Sequence, residues 1–264
     1  MPTVAAIEQE LFKLAPRAGA MSWDNVGLLV GDPAAQVNRI VVALDITDAV
    51  ADEAAASGAQ LIVSHHPVMN CTWLPVQTLR EDTAQGRLLR KLVRENLSAI
   101  CMHTNLDVAC GGVSDALIDA LKLVDPGPLS GDGIGRIGTV AEGPVPLSEY
   151  VKTVGRVLHC SGIRFSSAGK AVHRVAVGGG ACGEYVTQAL ENGCDTFVTA
   201  DLKYHDFLNA ASQGINLIDA GHFPTEDVVC PVLIERLRRA FPEVTVTKSA
   251  SHREVIHYDV EGER

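Results

Sequence analysis

Strand-like and helix-like segments alternate along this chain, and an α/β fold is what such alternation most directly predicts. Runs of apolar and β-branched residues at 39–44, 61–64 and 98–102 predict buried strands. Helical segments separate these runs at 47–57, which ends in a Gly cap, and at 84–95. The resulting βαβαβ order indicates a largely parallel sheet with helices on its faces.

The same pattern recurs, without a gap, 135 residues later. Arg39 then aligns with Arg174, and the cap glycine Gly58 aligns with Gly193. Because strand falls on strand and helix on helix, we predict an internal duplication that produces two lobes of related βαβ topology. The alternative is chance similarity, since all βαβ units share this order of strand, helix and cap glycine.

A stretch dense in glycine and proline, at 125–133, divides the two repeats. We therefore predict a first α/β lobe over 1–128 and a second α/β lobe over 129–264. Residues 244–247 and 255–258 have the pattern of a hairpin. The pattern leaves open whether this C-terminal segment stays with the second lobe or packs back on the first.

Composition excludes several classes of protein. The 22 basic and 32 acidic residues give a net charge of −10, which argues against broad nucleic-acid binding but permits one small anion in a locally positive pocket. Seven cysteines without a C-x-x-C pair argue against a disulfide framework or a thiolate zinc site. No apolar run approaches the ~20 residues of a membrane span, and the first residues lack a signal-peptide pattern. We expect a cytoplasmic protein with no membrane partner.

Metal-binding side chains directly follow three of the predicted strands. The candidate ligands are His65, His66, Asp107, His222 and Glu226. Because parallel α/β sheets bind ligands beyond the carboxyl ends of their strands, we expect these loops to converge on one crevice between the lobes. Imidazole and carboxylate donors without sulfur predict a site for zinc, iron, manganese, nickel or cobalt, and the pattern does not choose among them.

The spacing of the ligands favours two ions over one. Adjacent side chains in extended backbone diverge, and Pro67 favours that geometry at His66, so we expect His65 and His66 to serve different ions. His222 and Glu226 are four residues apart and would share one side of a helix. Two divalent ions keep excess positive charge after two carboxylates, which predicts a small anionic substrate and activated water.

Neighbouring residues supply candidates for supporting and catalytic roles. Residues expected to orient the ligands and fix histidine tautomers are His103, Thr104, Asn105 and Thr225. The catalytic candidates are His103, Asp201 and His205. Asp201 aligns with His66 in the repeat and would face the same crevice, with His205 as a proton-transfer group. The alternative is that Asp201 caps a helix and partners a histidine.

Five motifs resemble the Nif-three-like proteins, also called the GTP cyclohydrolase I type 2 homologues. They are Trp-Asp-Asn-Val-Gly-Leu at 23–28, Ser-His-His-Pro at 64–67, His-Thr-Asn-Leu-Asp at 103–107, Thr-Ala-Asp-Leu-Lys-Tyr-His at 199–205 and Gly-His-Phe-Pro-Thr-Glu at 221–226. The resemblance implies a two-lobed α/β protomer with a dinuclear metal centre, held by the five ligands named above. It also implies assembly into ring-shaped homohexamers.

The resemblance implies a dinuclear-metal-dependent hydrolase, in which metal-activated water attacks a nucleotide or a related phosphorylated metabolite. GTP is one candidate substrate. A second hypothesis is a non-catalytic metal-binding scaffold or regulatory protein that assembles as a ring and binds a protein partner. Exchangeable water separates the two, because a catalytic metal keeps an open position and a structural metal does not.

A G-x-G-x-x-G motif occupies 178–183, between a predicted strand and a predicted helix. It fits a tight strand-to-helix turn, and it also fits a loop that binds a substrate phosphate at a helix start. A nicotinamide enzyme is the weakest interpretation, because no second nucleotide-binding half follows the motif. We therefore predict no nucleotide cofactor.

Overall fold

The computed structural model describes residues 1–259, which form two compact units. Unit 1 consists of Met1–Gly112 together with Val229–Arg253. Unit 2 consists of Val113–Val228 together with the described residues from Glu254 onward. Each unit contains one sheet flanked by helices, which confirms the predicted α/β fold class.

The described residues contain eleven strands: β1 (Gly27–Val30), β2 (Arg39–Ala43), β3 (Leu61–Ser64), β4 (Ser98–Cys101), β5 (Leu123–Pro128), β6 (Arg136–Val140), β7 (Arg164–Ser166), β8 (Arg174–Val177), β9 (Thr196–Thr199), β10 (Asn216–Asp219) and β11 (Thr245–Lys248). The α-helices of the same residues are α1 (Val4–Leu14), α2 (Asp48–Ala56), α3 (Ala84–Arg94), α4 (Thr104–Val108), α5 (Val113–Ala120), α6 (Leu147–Val157), α7 (Val186–Glu191), α8 (Tyr204–Gln213), α9 (His222–Glu226) and α10 (Val229–Ala240). None of these helices combines the length and the apolar character that crossing a membrane requires.

The sheet of unit 1 has the strand order β1-β4-β3-β2-β11. Four neighbouring strands, from β4 to β11, run parallel, and β1 pairs with β4 in the opposite direction. Every residue of β3 and β4 is buried, as expected for parallel strands covered on both faces. The carboxyl ends of β2, β3 and β4 therefore lie at the same edge of this sheet.

The sheet of unit 2 has the strand order β5-β6-β8-β9-β10-β7. Its central strands β8, β9 and β10 are parallel, and the strands outside them are antiparallel. Phe197 of β9 is fully buried and is one of the largest side chains in the core. The stretch at 125–133, where we place the domain boundary, begins inside β5, and the edge position of this strand tolerates Pro128.

The two sheets share one pairing register. In unit 1, Ile40 of β2 lies opposite Leu61 of β3, and in unit 2, Val175 of β8 lies opposite Thr196 of β9. Each residue of the second pair stands 135 positions after its counterpart in the first. The register thus repeats at the offset found in the sequence, while a common origin of the lobes stays a prediction.

The two aligned glycines end their helices in the same way. Gly58 follows α2 and Gly193 follows α7, and both have a φ of +71°. After α2, the N–H of Ala59 donates to the carbonyl of Ala54, which is the longer bond of a Schellman motif. The corresponding bond follows α7. Each glycine occupies a left-handed position that a residue with a Cβ adopts only with strain.

The predicted C-terminal hairpin is wrong. β11 pairs in parallel with β2 at the edge of the unit 1 sheet, and residues 255–258 form no strand. The side chain of Glu53, on α2, holds the chain that follows β11. Its carboxylate accepts hydrogen bonds from the Ser249 hydroxyl and from the N–H groups of Ala250 and Ser251, at 2.6 to 2.9 Å.

We expect Glu53→Gln to lower the free energy of unfolding by about 1–2 kcal/mol at pH 7, because the bonds lose their charged acceptor. Burial raises the pKa of Glu53, but the three hydrogen bonds outweigh it and lower this pKa to about 2. The stability that the ionised Glu53 carboxylate adds to the wild type is therefore complete above pH 4.5 and is lost as the pH falls toward 2. Urea unfolding from pH 7 to pH 2 measures it.

Glu191→Gln, an exposed change at the end of α7, is the control and should alter stability by less than about 0.5 kcal/mol. Equal unfolding midpoints for the two variants at pH 7 would show that Glu53 does not anchor the C-terminal segment.

Candidate metal centre

The candidate ligands of unit 1 lie where its parallel strands end. β3 ends at Ser64, and His65 and His66 follow at once. The backbone pairing continues past the strand ends, since the N–H of Met102 donates to the carbonyl of Ser64 at 2.9 Å. His103 comes next along the chain. The strand ladder thus places all three histidines at one edge of the sheet.

These three histidines form a compact cluster, which we call the imidazole triad. The ring centroids of His65 and His66 are 5.0 Å apart, and those two rings lie 5.3 and 5.6 Å from the ring of His103. One nitrogen from each ring lies within 4.8 Å of the others, so the triad can bind a metal ion. The prediction that His65 and His66 point apart is wrong, because a separate acceptor orients each ring.

Each ring of the triad is held at Nδ1 by an acceptor. The bonds join His65 to the carbonyl oxygen of Met102 at 2.8 Å, His66 to Oδ1 of Asp45 at 2.7 Å and His103 to Oδ1 of Asp24 at 2.8 Å. An acceptor at Nδ1 of a neutral imidazole places the proton there and leaves the lone pair on Nε2. This arrangement is typical of histidines that bind a metal through Nε2.

The carboxylates behind the triad remain ionised. Burial raises the pKa of Asp24, but hydrogen bonds from His103 and Thr104 outweigh it and lower the pKa to about 2. Thr104 supplies both its N–H and its hydroxyl to this carboxylate. Burial also raises the pKa of Asp45, and hydrogen bonds from His252 and from the triad hold it far below its usual value.

Asp107 lies beside the triad on the short helix α4. Its Oδ1 is 3.5 Å from Nε2 of His65, a separation that a bound cation could bridge. The buried side chain of Asn105 anchors this helix by donating to the carbonyl of Ala15 at 2.7 Å. Asn105 therefore supports the backbone that carries Asp107, whereas Thr104 acts through Asp24.

In unit 2, the candidate ligands lie on α9. His222 and Glu226 are one helical turn apart, with Nε2 of the first 3.0 Å from Oε2 of the second. Nδ1 of His222 lies 2.7 Å from Oδ2 of Asp201, which repeats the pattern of the triad. Burial lowers the pKa of His222, but the two carboxylates outweigh it and raise the pKa to about 11. Without a bound cation, His222 therefore carries a proton on both ring nitrogens at neutral pH, and a cation that binds Nε2 would displace one of them.

Asp201 and His205 have different surroundings. Asp201 follows β9 in the left-handed conformation and bonds to His222, while the N-cap of α8 is Lys203. His205 is exposed on the first turn of α8, and its ring contacts Tyr204 edge-on at 5.3 Å. Within the described residues, the structure therefore links Asp201 to a candidate ligand and gives no such link for His205.

The glycine-rich motif at 178–183 packs against the ligands of unit 2. Gly180 has a φ of +60°, and a Cβ on it would overlap Oε1 of Glu226 and lie 3.0 Å from Cε1 of His222. Its N–H donates to the Thr225 hydroxyl at 3.0 Å. These contacts favour the tight-turn interpretation over a phosphate loop, and the role of Thr225 in orienting the ligands stays a prediction.

Both tryptophans of the chain border the imidazole triad. Trp23 and Trp73 meet the ring of His103 edge-on, with centroids 6.0 and 5.4 Å away. The two side chains are 48% and 52% exposed, an unusual state for the largest apolar side chains. Because both indoles lie beside the imidazole triad, they are candidates for contact with a ligand or a protein partner.

Sequence reasoning missed the supporting roles of Asp24 and Asp45, and the position of Trp73. A signal for Asp45 existed, because it comes two residues after β2, at the sheet edge that carries the triad. His252 had no such signal, because it reaches Asp45 only through the parallel pairing of β11, which the sequence pattern did not predict.

The family model for Duf34/NIF3 (NGG1p interacting factor 3) matches residues 2–254. The chain belongs to this family. A relative in Streptomyces coelicolor is 35% identical over 237 residues, which cover 86% of this chain and 82% of the relative. A relative in Clostridium perfringens is 31% identical over 229 residues, which cover 84% and 85%. Both carry the name GTP cyclohydrolase 1 type 2 homolog.

Two solved structures have the same fold as this chain. A Bacillus cereus protein related to NIF3 superposes with a TM-score of 0.91 at 23% identity, covering 98% of this chain and 99% of that one. The Staphylococcus aureus hypothetical protein SA1388 gives 0.89 at 27% identity, covering 97% and 99%. This chain therefore shares the fold of these two proteins.

We expect Gly180→Ala to destabilise the protein more than Gly193→Ala. Both glycines have positive φ, so each alanine costs about 1–2 kcal/mol in the left-handed region. Only at Gly180 does the new methyl group overlap Glu226, whereas nothing lies within 4 Å at Gly193. The overlap adds about 1–3 kcal/mol, measurable by urea unfolding. Equal losses would mean that α9 moves aside freely.

Proposed function

We propose that this protein is a metal-dependent hydrolase in which His65, His66, Asp107, His222 and Glu226 hold two divalent cations. One observation carries the proposal: the three histidines of this set and His103 each have Nδ1 tied to a fixed acceptor, and Nε2 of both His65 and His222 faces a candidate carboxylate oxygen. Histidines that serve only as core or surface residues have no reason to share this orientation.

The donor set fits such ions. Imidazole nitrogens and carboxylate oxygens suit zinc, iron, manganese, nickel or cobalt, and selection among these depends on geometry and availability. Bound divalent cations would supply Lewis acidity and a nucleophile from water near neutral pH. Asp24, Asp45 and Asp201 would keep their histidines in the coordinating tautomer, and His103 would border the ions as a further possible donor.

Charge favours an anionic substrate that reaches the ions directly. Two divalent cations carry four positive charges, and Asp107 and Glu226 return two. The carboxylates behind the histidines compensate the remainder from a greater distance, so the attraction is short-ranged. This short-ranged attraction would bind a phosphate group that coordinates the ions. A long polyanion would be repelled by the rest of the chain, whose net charge is −10.

Trp23 and Trp73 favour a substrate with a planar ring. Exposed indole faces stack well on nucleobases, and such stacking contributes about 1–3 kcal/mol per base. Together with a site for phosphate, this supports a nucleotide, and the name shared by the relatives makes GTP the first candidate. Attack of water at C8 of guanine would break one of its two C–N bonds and open the five-membered ring, and a second water would hydrolyse the resulting formamide and release that carbon as formate. His205 remains the proposed proton-transfer group.

We expect the protein, reconstituted with zinc, manganese or iron, to bind close to two ions per chain. His66→Ala and Glu226→Gln should each weaken binding by more than ~10-fold, because each removes a donor. Elemental analysis and competition with a chelator measure this, and circular dichroism monitors folding. His173→Ala, which changes an exposed histidine, is the control. If the wild-type protein binds no ion, the proposal is wrong.

The second candidate function is a non-catalytic scaffold, and the half-exposed tryptophans favour it as well, since a protein partner could cover them. Turnover separates the two functions. Formate release from GTP by the metal-loaded protein supports the cyclohydrolase reaction, and turnover of another phosphorylated compound supports a different hydrolase. Stable metal binding without turnover across a nucleotide and metabolite screen supports the scaffold.

The tryptophans allow a direct test of substrate class. We expect GTP to quench tryptophan emission saturably, because both indoles border the site, and Trp73→Leu to weaken GTP binding about 5- to 150-fold. Phe165→Leu, at an exposed aromatic residue of β7, should leave binding unchanged. Equal quenching by ribose 5-phosphate would show that the base is not recognised.

The proposal includes a homo-oligomer, a ring-shaped hexamer by resemblance to the family, and a cytoplasmic location. The cysteine pattern supports the location, because seven cysteines without a C-x-x-C pair suit a reducing compartment. Light scattering coupled to size-exclusion chromatography measures the oligomeric state.

A further inference from the structure

The segment that follows β11 is bound tightly to unit 1. Besides the three hydrogen bonds that the Glu53 carboxylate accepts, the Ser249 hydroxyl oxygen accepts hydrogen bonds from the N–H groups of Ser251 and His252, both at 3.2 Å. These bonds make residues 249–252 a compact turn next to the end of β11. The turn aims the side chain of His252 at the sheet edge that carries the imidazole triad.

His252 meets Asp45 there. Its Nε2 lies 3.1 Å from Oδ2 of Asp45 and 3.1 Å from the backbone nitrogen of the same residue. A protonated Nε2 would donate to the carboxylate, and an unprotonated Nε2 would accept from the N–H. Either form ties His252 to Asp45. The imidazole of His252 is only 10% exposed, so this contact is shielded from water.

The other oxygen of Asp45 holds the triad. Oδ1 lies 2.7 Å from Nδ1 of His66, so one carboxylate connects two imidazoles. The side chain of Asp45 is 42% exposed and follows β2 by two residues. A contact at each oxygen fixes both the position and the rotation of the carboxylate, and through it the ring of His66.

We propose that His252 is a positioning residue of the metal centre, which acts through Asp45 to hold His66 with Nε2 toward the cation. The inference rests on the proposed function. It makes the segment 249–253 part of the centre, although no ligand lies on it. By linkage, a cation at His66 and order in this segment reinforce each other.

The test compares His252→Leu with His252→Gln in the full-length protein. Leucine removes both the donor and the acceptor, whereas the glutamine amide keeps one of each. We expect His252→Leu to weaken zinc binding about 10-fold, the lower end of the effect of losing a direct partner of a ligand, because His252 acts through Asp45; His252→Gln should recover most of the loss. His257→Leu, at an exposed histidine of the same C-terminal segment, should match wild type.

Two readouts separate positioning from simple anchoring of the chain. In the metal-free protein, the ¹⁵N shifts of His66 should move toward a tautomer mixture in His252→Leu and in Asp45→Asn, and stay unchanged in His257→Leu. Hydrogen exchange of residues 249–253 should slow when zinc is added to the wild type, and not in Asp45→Asn. A purely structural role would change melting temperature without these effects.

The outcomes distinguish this inference from the proposed function. If the wild-type protein binds zinc and His252→Leu has the same zinc affinity and the same His66 ¹⁵N shifts, the inference is overturned and the proposed metal centre is not affected. Wild-type protein that binds no cation overturns the proposed function, and the ¹⁵N shifts of the metal-free variants then still report whether His252 orients His66. Loss of affinity in His252→Leu without recovery in His252→Gln would also contradict the inference.

Discussion

A hydrogen bond at Nδ1 is the interaction on which the candidate centre depends. An imidazole can turn and can carry its proton on either nitrogen, so a histidine is pre-organised as a metal ligand when both freedoms are removed. Here a backbone carbonyl removes them for His65, and aspartates do so for His66, His103 and His222. The donor atoms are thereby oriented by the fold itself, in each unit separately.

The parallel strands provide the frame for these bonds. In unit 1, the ends of β2, β3 and β4 place Asp45, His65 and His103 at one sheet edge, so ligand and partner arise from neighbouring strands. In unit 2, the glycine motif lets the loop after β8 approach α9 closely enough to touch Glu226. Gly180 is therefore required both by its own left-handed backbone conformation and by the space that the candidate ligand Glu226 occupies.

The sequence pattern was sufficient for the α/β class, the strands at 61–64 and 98–102, the cap glycines and the family. These features depend on local periodicity and on motifs that are contiguous in the chain. The pairing of β11 with β2 was not predictable, because parallel pairing joins segments some 200 residues apart and no turn residue signals it. The convergence of His65 and His66 was missed for a related reason: their orientation depends on Met102 and Asp45, which are distant in sequence.

The pairing of β11 with β2 also bears on how the chain folds during synthesis. The sheet of unit 1 draws its last edge strand from residues 245–248, whereas the whole sheet of unit 2 lies between residues 123 and 219. Domains generally fold as their residues leave the ribosome. The sheet of unit 2 is thus fully translated while the sheet of unit 1 still lacks β11. Until β11 is translated, the edge of β2 is exposed and must be kept from pairing with other chains.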